Sequence, residues 1–306
     1  MAFQTSIRAA IGVASSVVGP LTLALQRRRD AAAIFLYHRV GPGSDRAYPS
    51  LPCETFIAHC EFMRRHFRIL PLGELLERAR TNRSLKGCSA ICFDDGYRDF
   101  IDYAYPVLRQ FEFPVTHFLV TDCIDTNVPP WTYRINRLAS HQHLNRRDAT
   151  KTVESMPRGD RDAWLSAREV GTPMPPMPSM ITAADFASFN PDAVEWGSHT
   201  ASHAFLDRMP ESDVAEELRH SKERLEKLVG RPVRYLAYPN GYYNQRIAEL
   251  SRAAGYEAAL TVGQAELSHA APMYAVPRFD VGNMPASMLA LEVTGVVERL
   301  RRLQAP

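Results

Sequence analysis

Residues 90–97, Ala90-Ile91-Cys92-Phe93-Asp94-Asp95-Gly96-Tyr97, pass in one step from an uncharged, apolar run to two adjacent carboxylates and a glycine. A short apolar run that stops abruptly at polar groups reads as a buried strand whose end reaches solvent. Six further runs share this form, at 34–37, 115–120, 194–196, 235–237, 258–262 and, more weakly, 274–276. Helical periodicity fills the intervals at 54–67, 72–79, 103–111, 211–228 and 244–254, and Ser212 ahead of Ala215 and Glu216 predicts a side-chain cap at the fourth of these. Strands alternating with helices of this length are joined as parallel strands through crossovers, so the expected class is α/β.

The stretch 125–190 breaks the rhythm. It is long and polar and holds the run Thr172-Pro173-Met174-Pro175-Pro176-Met177-Pro178. It reads as an insertion between two strands, either a solvated excursion or a wall of a substrate groove, with Trp131 and Tyr133 as the aromatic candidates for such a wall.

Bulk properties narrow the function. The chain has 306 residues, 45% hydrophobic and 23% charged, with a net charge of +2. That is an ordinary globular composition, and no basic cluster interleaved with aromatics marks a nucleic-acid surface. Five cysteines, odd in number and without a C-x-x-C pair, do not describe a disulfide framework and fit a reducing compartment. Residues 9–25 are uncharged and fairly apolar but short, and Arg27-Arg28-Arg29 follows them. That order argues against export. It makes residues 1–30 an apolar or amphipathic segment with possible peripheral membrane contact, the remainder being expected in the cytoplasm or at the membrane's cytoplasmic face.

The chemistry-bearing residues follow the strand-like runs, where a barrel of alternating strands and helices places its active site. Side chains of adjacent residues in an extended segment point apart, so Asp94 and Asp95 can divide the work of base and cation ligand. Asp-Asp-Gly alone also makes ordinary turns. The second constellation is Gly197-Ser198-His199-Thr200-Ala201-Ser202-His203. Histidines four apart share one face of a helical turn, from which both imidazoles reach one metal. With Asp95 they supply two nitrogens and one carboxylate, leaving a coordination position for water.

These residues resemble the polysaccharide deacetylases of carbohydrate esterase family four, over roughly residues 34–280. The resemblance rests on Phe93-Asp94-Asp95-Gly96 and on the pair opened by His199-Thr200 and closed by His203. It implies a distorted (β/α) barrel of about seven parallel strands and hydrolytic, metal-dependent removal of N-acetyl groups from a sugar or polysaccharide. Asp94 is implied as the base, and Asp95, His199 and His203 as ligands of a divalent cation, Zn²⁺ before Co²⁺ or Ni²⁺. Leu236-Ala237-Tyr238-Pro239-Asn240-Gly241 is similar to a third motif, which places oxyanion-binding N–H groups near Tyr238 and Asn240 but lacks the arginine that orients the base in many members. Arg278 is the expected replacement, with a surface arginine as the alternative. Leu36-Tyr37-His38-Arg39-Val40 resembles the branch of poly-N-acetylglucosamine deacetylases, and no late Leu-x-His follows Arg278. His38, at the end of the first strand and thus beside the last, is the expected general acid, with a structural histidine hydrogen-bonded at the barrel rim as the alternative. Tyr97 and Tyr242 join Trp131 and Tyr133 as groove candidates. The competing functions are an O-acetyl carbohydrate esterase and a catalytically silent glycan-binding or assembly protein.

Overall fold

The computed structural model describes residues 29–293 apart from 44, 143, 172, 173 and 175. All but the last two residues of the N-terminal segment therefore lie outside the described residues. No described helix is long and apolar enough to cross a membrane.

The chain opens with β1 (Ala33–Tyr37), a small ladder of β2 (Val40–Gly41) with β3 (Leu51–Pro52), helix α1 (Cys53–His66), β4 (Arg68–Ile69) and helix α2 (Leu72–Arg80). Next come β5 (Cys88–Phe93), helix α3 (Tyr105–Gln110) and β6 (Val115–Leu119), and the insertion then contributes α4 (Trp131–Gln142), α5 (Arg146–Val153) and α6 (Arg158–Glu169). The remainder is β7 (Val194–Ser198), α7 (Glu211–Val229), β8 (Tyr235–Ala237), α8 (Gln245–Ala253), β9 (Ala258–Leu260), β10 (Phe279–Asp280) and α9 (Ala286–Val293).

Seven parallel strands form the main sheet in the order β10-β1-β5-β6-β7-β8-β9, and β4 pairs with the start of β5. Every residue of β1, β5 and β6 is buried, as strands covered on both faces require. The last run is displaced from its expected position. Only Val276 of 274–276 pairs, through a parallel bridge to Leu260, and the strand forms at Phe279–Asp280 against Phe35 and Leu36 of β1. One stretch of chain thereby touches both edges of the sheet and gives the distorted (β/α) barrel.

Alternation along the strands separates two clusters. Ile34, Ala90, Cys92, Phe118, Ala237 and Leu260 come from five different strands into one cluster, which marks the barrel interior. Leu72, Leu75 and Leu76 of α2 join it, at about 1.5–3 kcal/mol for each fully buried leucine. Because α2 follows β4 at the start of β5, it fills the amino end of the barrel and leaves the carboxyl end for the site. Phe35, Ile91 and Phe93 point the other way, against Phe56, Cys60 and Met63 of α1. All five cysteines are free thiols, Cys92 among the interior residues.

Two local expectations are corrected. Helix α7 is preceded by Pro210, and the Ser212 hydroxyl donates to Asp213 rather than capping the helix. Of the two readings of the insertion the solvated excursion is corrected, since the segment has a core of its own in which Trp131, Ile135 and Leu138 form a helical stripe that packs on Ala149, Val153 and Leu165.

Candidate active site

Strand ends deliver the polar side chains. After Phe93 the chain turns sharply: the Asp94 N–H donates to the Tyr37 carbonyl at 3.0 Å, and Asp95 (φ 75°) and Gly96 (φ 87°) are left-handed. Asp95 is therefore not extended, contrary to expectation, and the two carboxylates do not point apart. Both reach His199, whose Nε2 lies 3.8 Å from Asp94 Oδ2 and 3.6 Å from Asp95 Oδ1. Left-handed backbone is unfavourable for a residue with a Cβ and is held here by the surrounding structure.

The histidine turn is likewise not helical. Thr200 (φ 65°) and His203 (φ 59°) are left-handed, and the chain from 199 to 203 runs as coil. The imidazoles still converge, with ring centroids 4.9 Å apart and His203 Nε2 3.3 Å from Asp95 Oδ1. The Glu217 carboxylate on α7 accepts from the Ala201 and Ser202 N–H groups at 3.0 and 2.9 Å and from the Ser202 hydroxyl at 2.7 Å. The Trp131 indole N–H donates to the His203 carbonyl at 2.8 Å. Upstream, Gly197 is required because a Cβ there would meet the Phe118 ring at 2.4 Å.

Asp95, His199 and His203 are all buried and offer three ligand atoms within 4.8 Å of one another. Atoms bound at about 2.0–2.2 Å to a tetrahedral cation lie about 3.3–3.5 Å apart, close to the 3.3 and 3.6 Å separations from Asp95 Oδ1. His199 Nδ1–H donates to the Ala237 carbonyl at 2.8 Å, so its Nε2 lone pair faces the carboxylate. Asp95 Oδ1 is buried without a hydrogen-bond donor, an arrangement a shared cation resolves. Burial pushes His199 down to about 4, so it is neutral at pH 7, as a ligand must be. Burial alone would raise the Asp95 carboxyl, but His203, with His38 and His199, outweighs it and holds the group below the usual carboxylate range.

Asp94 has a different environment. The buried Arg278 guanidinium donates from Nη1 and Nη2 to its two oxygens at 2.7 and 2.8 Å. Burial opposes ionisation, and Arg278, then His199, overcome it and keep the carboxyl below its ordinary value. Of the two readings of Arg278, the structure excludes the surface one.

Asp94, Asp95, His199 and His203 line a cavity of about 300 Å³ with His38, Tyr97, Tyr133, Asn240 and Tyr242. The remaining expectations divide. Tyr238 does not reach this cavity. Its N–H donates to Leu260 and its ring stacks on Tyr243, while Pro239 has no N–H, so of these three residues only Asn240 (φ 55°) retains one for a substrate. Trp131 is corrected from a groove residue to a buried support 3% exposed, because its apolar face belongs to the insertion core. Tyr133 lines the cavity and donates to Asp45 at 2.9 Å. Asp280, which lines the cavity from β10, and Glu217 belong to no motif of the sequence. A lone acid in a weak strand and one glutamate in a charged helix carry no local signal of either placement.

The polysaccharide deacetylase family model matches residues 81–259. A poly-beta-1,6-N-acetyl-D-glucosamine N-deacetylase of Staphylococcus epidermidis is 24% identical over 276 residues, covering 89% of this chain and 81% of its own. Solved structures share the fold, among them the following two. The Streptococcus pyogenes deacetylase PplD, in complex with acetate, has a TM-score of 0.61 at 18% identity, covering 90% of this chain and 99% of that one. IcaB from Ammonifex degensii has a TM-score of 0.61 at 19% identity, covering 86% and 96%.

Proposed function

Because this chain belongs to the polysaccharide deacetylase family, we propose that it hydrolyses N-acetyl groups on an N-acetylated sugar or polysaccharide with the help of a divalent cation held by Asp95, His199 and His203. The observation that carries this reading is the convergence of those three buried ligands beside a separate carboxylate, Asp94, that an arginine holds in place. When bound, the cation, Zn²⁺ by the donor set, supplies Lewis acidity toward water and the acetyl carbonyl.

The chain's own groups account for the rest. Asp94 is the base that takes a proton from the attacking water, and Arg278 is its positioning residue, fixing both carboxylate oxygens and keeping them ionised. The Asn240 N–H is the donor available to the developing oxyanion. His38, at the end of β1 and beside β10, lines the same cavity and is the proton donor to the departing amine. Tyr242, exposed at the cavity, offers a face for a sugar ring. The Staphylococcus epidermidis relative acts, by its name, on an N-acetylated glucosamine polymer, which supports a sugar amide as the substrate.

The test is acetate release from a panel of N-acetylated oligosaccharides and matched O-acetylated ones, with chelator and after Zn²⁺ or Co²⁺ is restored. Release from the amide that disappears with chelator and returns with metal supports the reading. Release from the ester alone makes the protein an O-acetyl esterase, and no release from either leaves a glycan-binding role.

A further inference from the structure

We propose that the glycan this site accepts carries an anionic group, phosphate or carboxylate, near its N-acetyl sugar, and that Arg146 recognises it. The inference rests on the deacetylase reading and narrows its substrate class. Within the cavity, Asp94 is neutralised by Arg278, and Asp95 faces the two histidines. Arg146 lines the same cavity, is exposed, and has no carboxylate among the described residues at ion-pair distance. Of the other arginines of the insertion, Arg134 pairs with Glu169 and Asp162 and Arg158 with Asp122, whereas Arg147 and Arg161 have no carboxylate partner among the described residues but do not line this cavity.

The fold fixes where this charge stands. Arg146 is the first residue of α5, which Asn145 caps through the Arg147 and Asp148 N–H groups, and Ala149 and Val153 seat the helix in the insertion core. Asn136 of α4 lines the cavity with it and adds an amide. The basic character continues past Tyr133. A neighbouring cavity of about 540 Å³ shares that tyrosine and is lined by Arg46, which has no carboxylate partner among the described residues, by His141, and by the ion-paired Arg39, Asp45 and Arg137. The acid in the catalytic cavity whose charge is not so matched, Asp280, comes from β10 on the barrel itself rather than from the insertion. A neutral N-acetylated chain leaves Arg146 without a counter-charge. A phosphate or carboxylate supplies two oxygens for its planar fork of donors.

The experiment measures kcat/KM for acetate release by the Zn²⁺-loaded full chain on three substrates of equal length. These are triacetylchitotriose, the same trisaccharide with a phosphomonoester, and a trisaccharide in which N-acetylmuramic acid supplies a carboxylate. One or both anionic substrates should exceed the neutral one by about tenfold, the worth of one well-formed charged contact, and 0.5 M NaCl should shrink that ratio. Arg146→Gln should bring the ratio toward one and Arg146→Lys should retain part of it. Equal rates on all three substrates, or a ratio that Arg146→Gln leaves intact, overturns the inference while the deacetylase reading stands. Release from none of them, with metal present, removes the deacetylase reading and this inference together.

Discussion

The Arg278 guanidinium grips Asp94 with two parallel hydrogen bonds of 2.7 and 2.8 Å across 184 positions of sequence, and both side chains are almost wholly buried. The pair joins the last strand of the barrel to the end of β5 and gives the candidate base its charge. Removing one partner leaves the other buried and uncompensated.

Arg278→Gln is therefore expected to destabilise the protein by about 3–5 kcal/mol in urea denaturation. It should also move the acid limb of the kcat/KM profile upward in pH. Burial raises the Asp94 carboxyl and Arg278 is the foremost group that lowers it, so without Arg278 the carboxylate is lost at a higher pH. An unmoved acid limb would show that Asp94 is not the group titrating in that limb.

Asp94→Asn should lower acetate release on the order of 10³-fold, in the range expected for a lost general base. Zn²⁺ affinity by isothermal titration should stay within a few-fold of wild type, because Asp95 and the histidines hold the cation. Comparable turnover by this variant and the wild-type protein sinks the base assignment.

His203→Ala should abolish the thermal stabilisation produced by added Zn²⁺. Glu217→Gln should leave the ligands in place but weaken Zn²⁺ binding by about 10–100-fold, the usual cost of losing an outer support. Glu217 accepts three hydrogen bonds from the turn that presents His203. Unchanged affinity in Glu217→Gln means that the left-handed turn holds itself.

His59 provides a pH signature outside the cavity. It accepts from the Tyr37 hydroxyl at 3.1 Å, donates to the Met284 carbonyl at 2.8 Å, and burial pushes it down to about 4. Between pH 6.5 and 4 the unfolded chain binds a proton that the folded one refuses. Stability at that site is thus complete above about 6.5 and falls by about 1.4 kcal/mol per unit as pH drops through the window. Denaturation midpoints at pH 7 and 4.5 should differ less in His59→Gln than in wild type, and an equal difference rules out this histidine as a source of acid sensitivity.

The sequence by itself determined the periodic features. Apolar runs such as 90–93 and 115–119 are buried on both faces and so show as runs, and the helices between them carry their stripes locally. Phe93-Asp94-Asp95-Gly96 and the His199–His203 spacing marked the side chains that the barrel end brings together, since short-range pattern fixes which residues follow a strand. Only the tertiary structure decided how they meet. Left-handed Asp95, Thr200 and His203 turn both carboxylates and both rings inward, and these conformations are sustained by contacts from distant elements rather than by local preference. The same holds for Arg278 on Asp94 and for Trp131 and Glu217 behind the histidine turn. Each is a pairing between residues far apart in the chain, and hydrogen bonds and charges of that kind leave no period for a sequence to display.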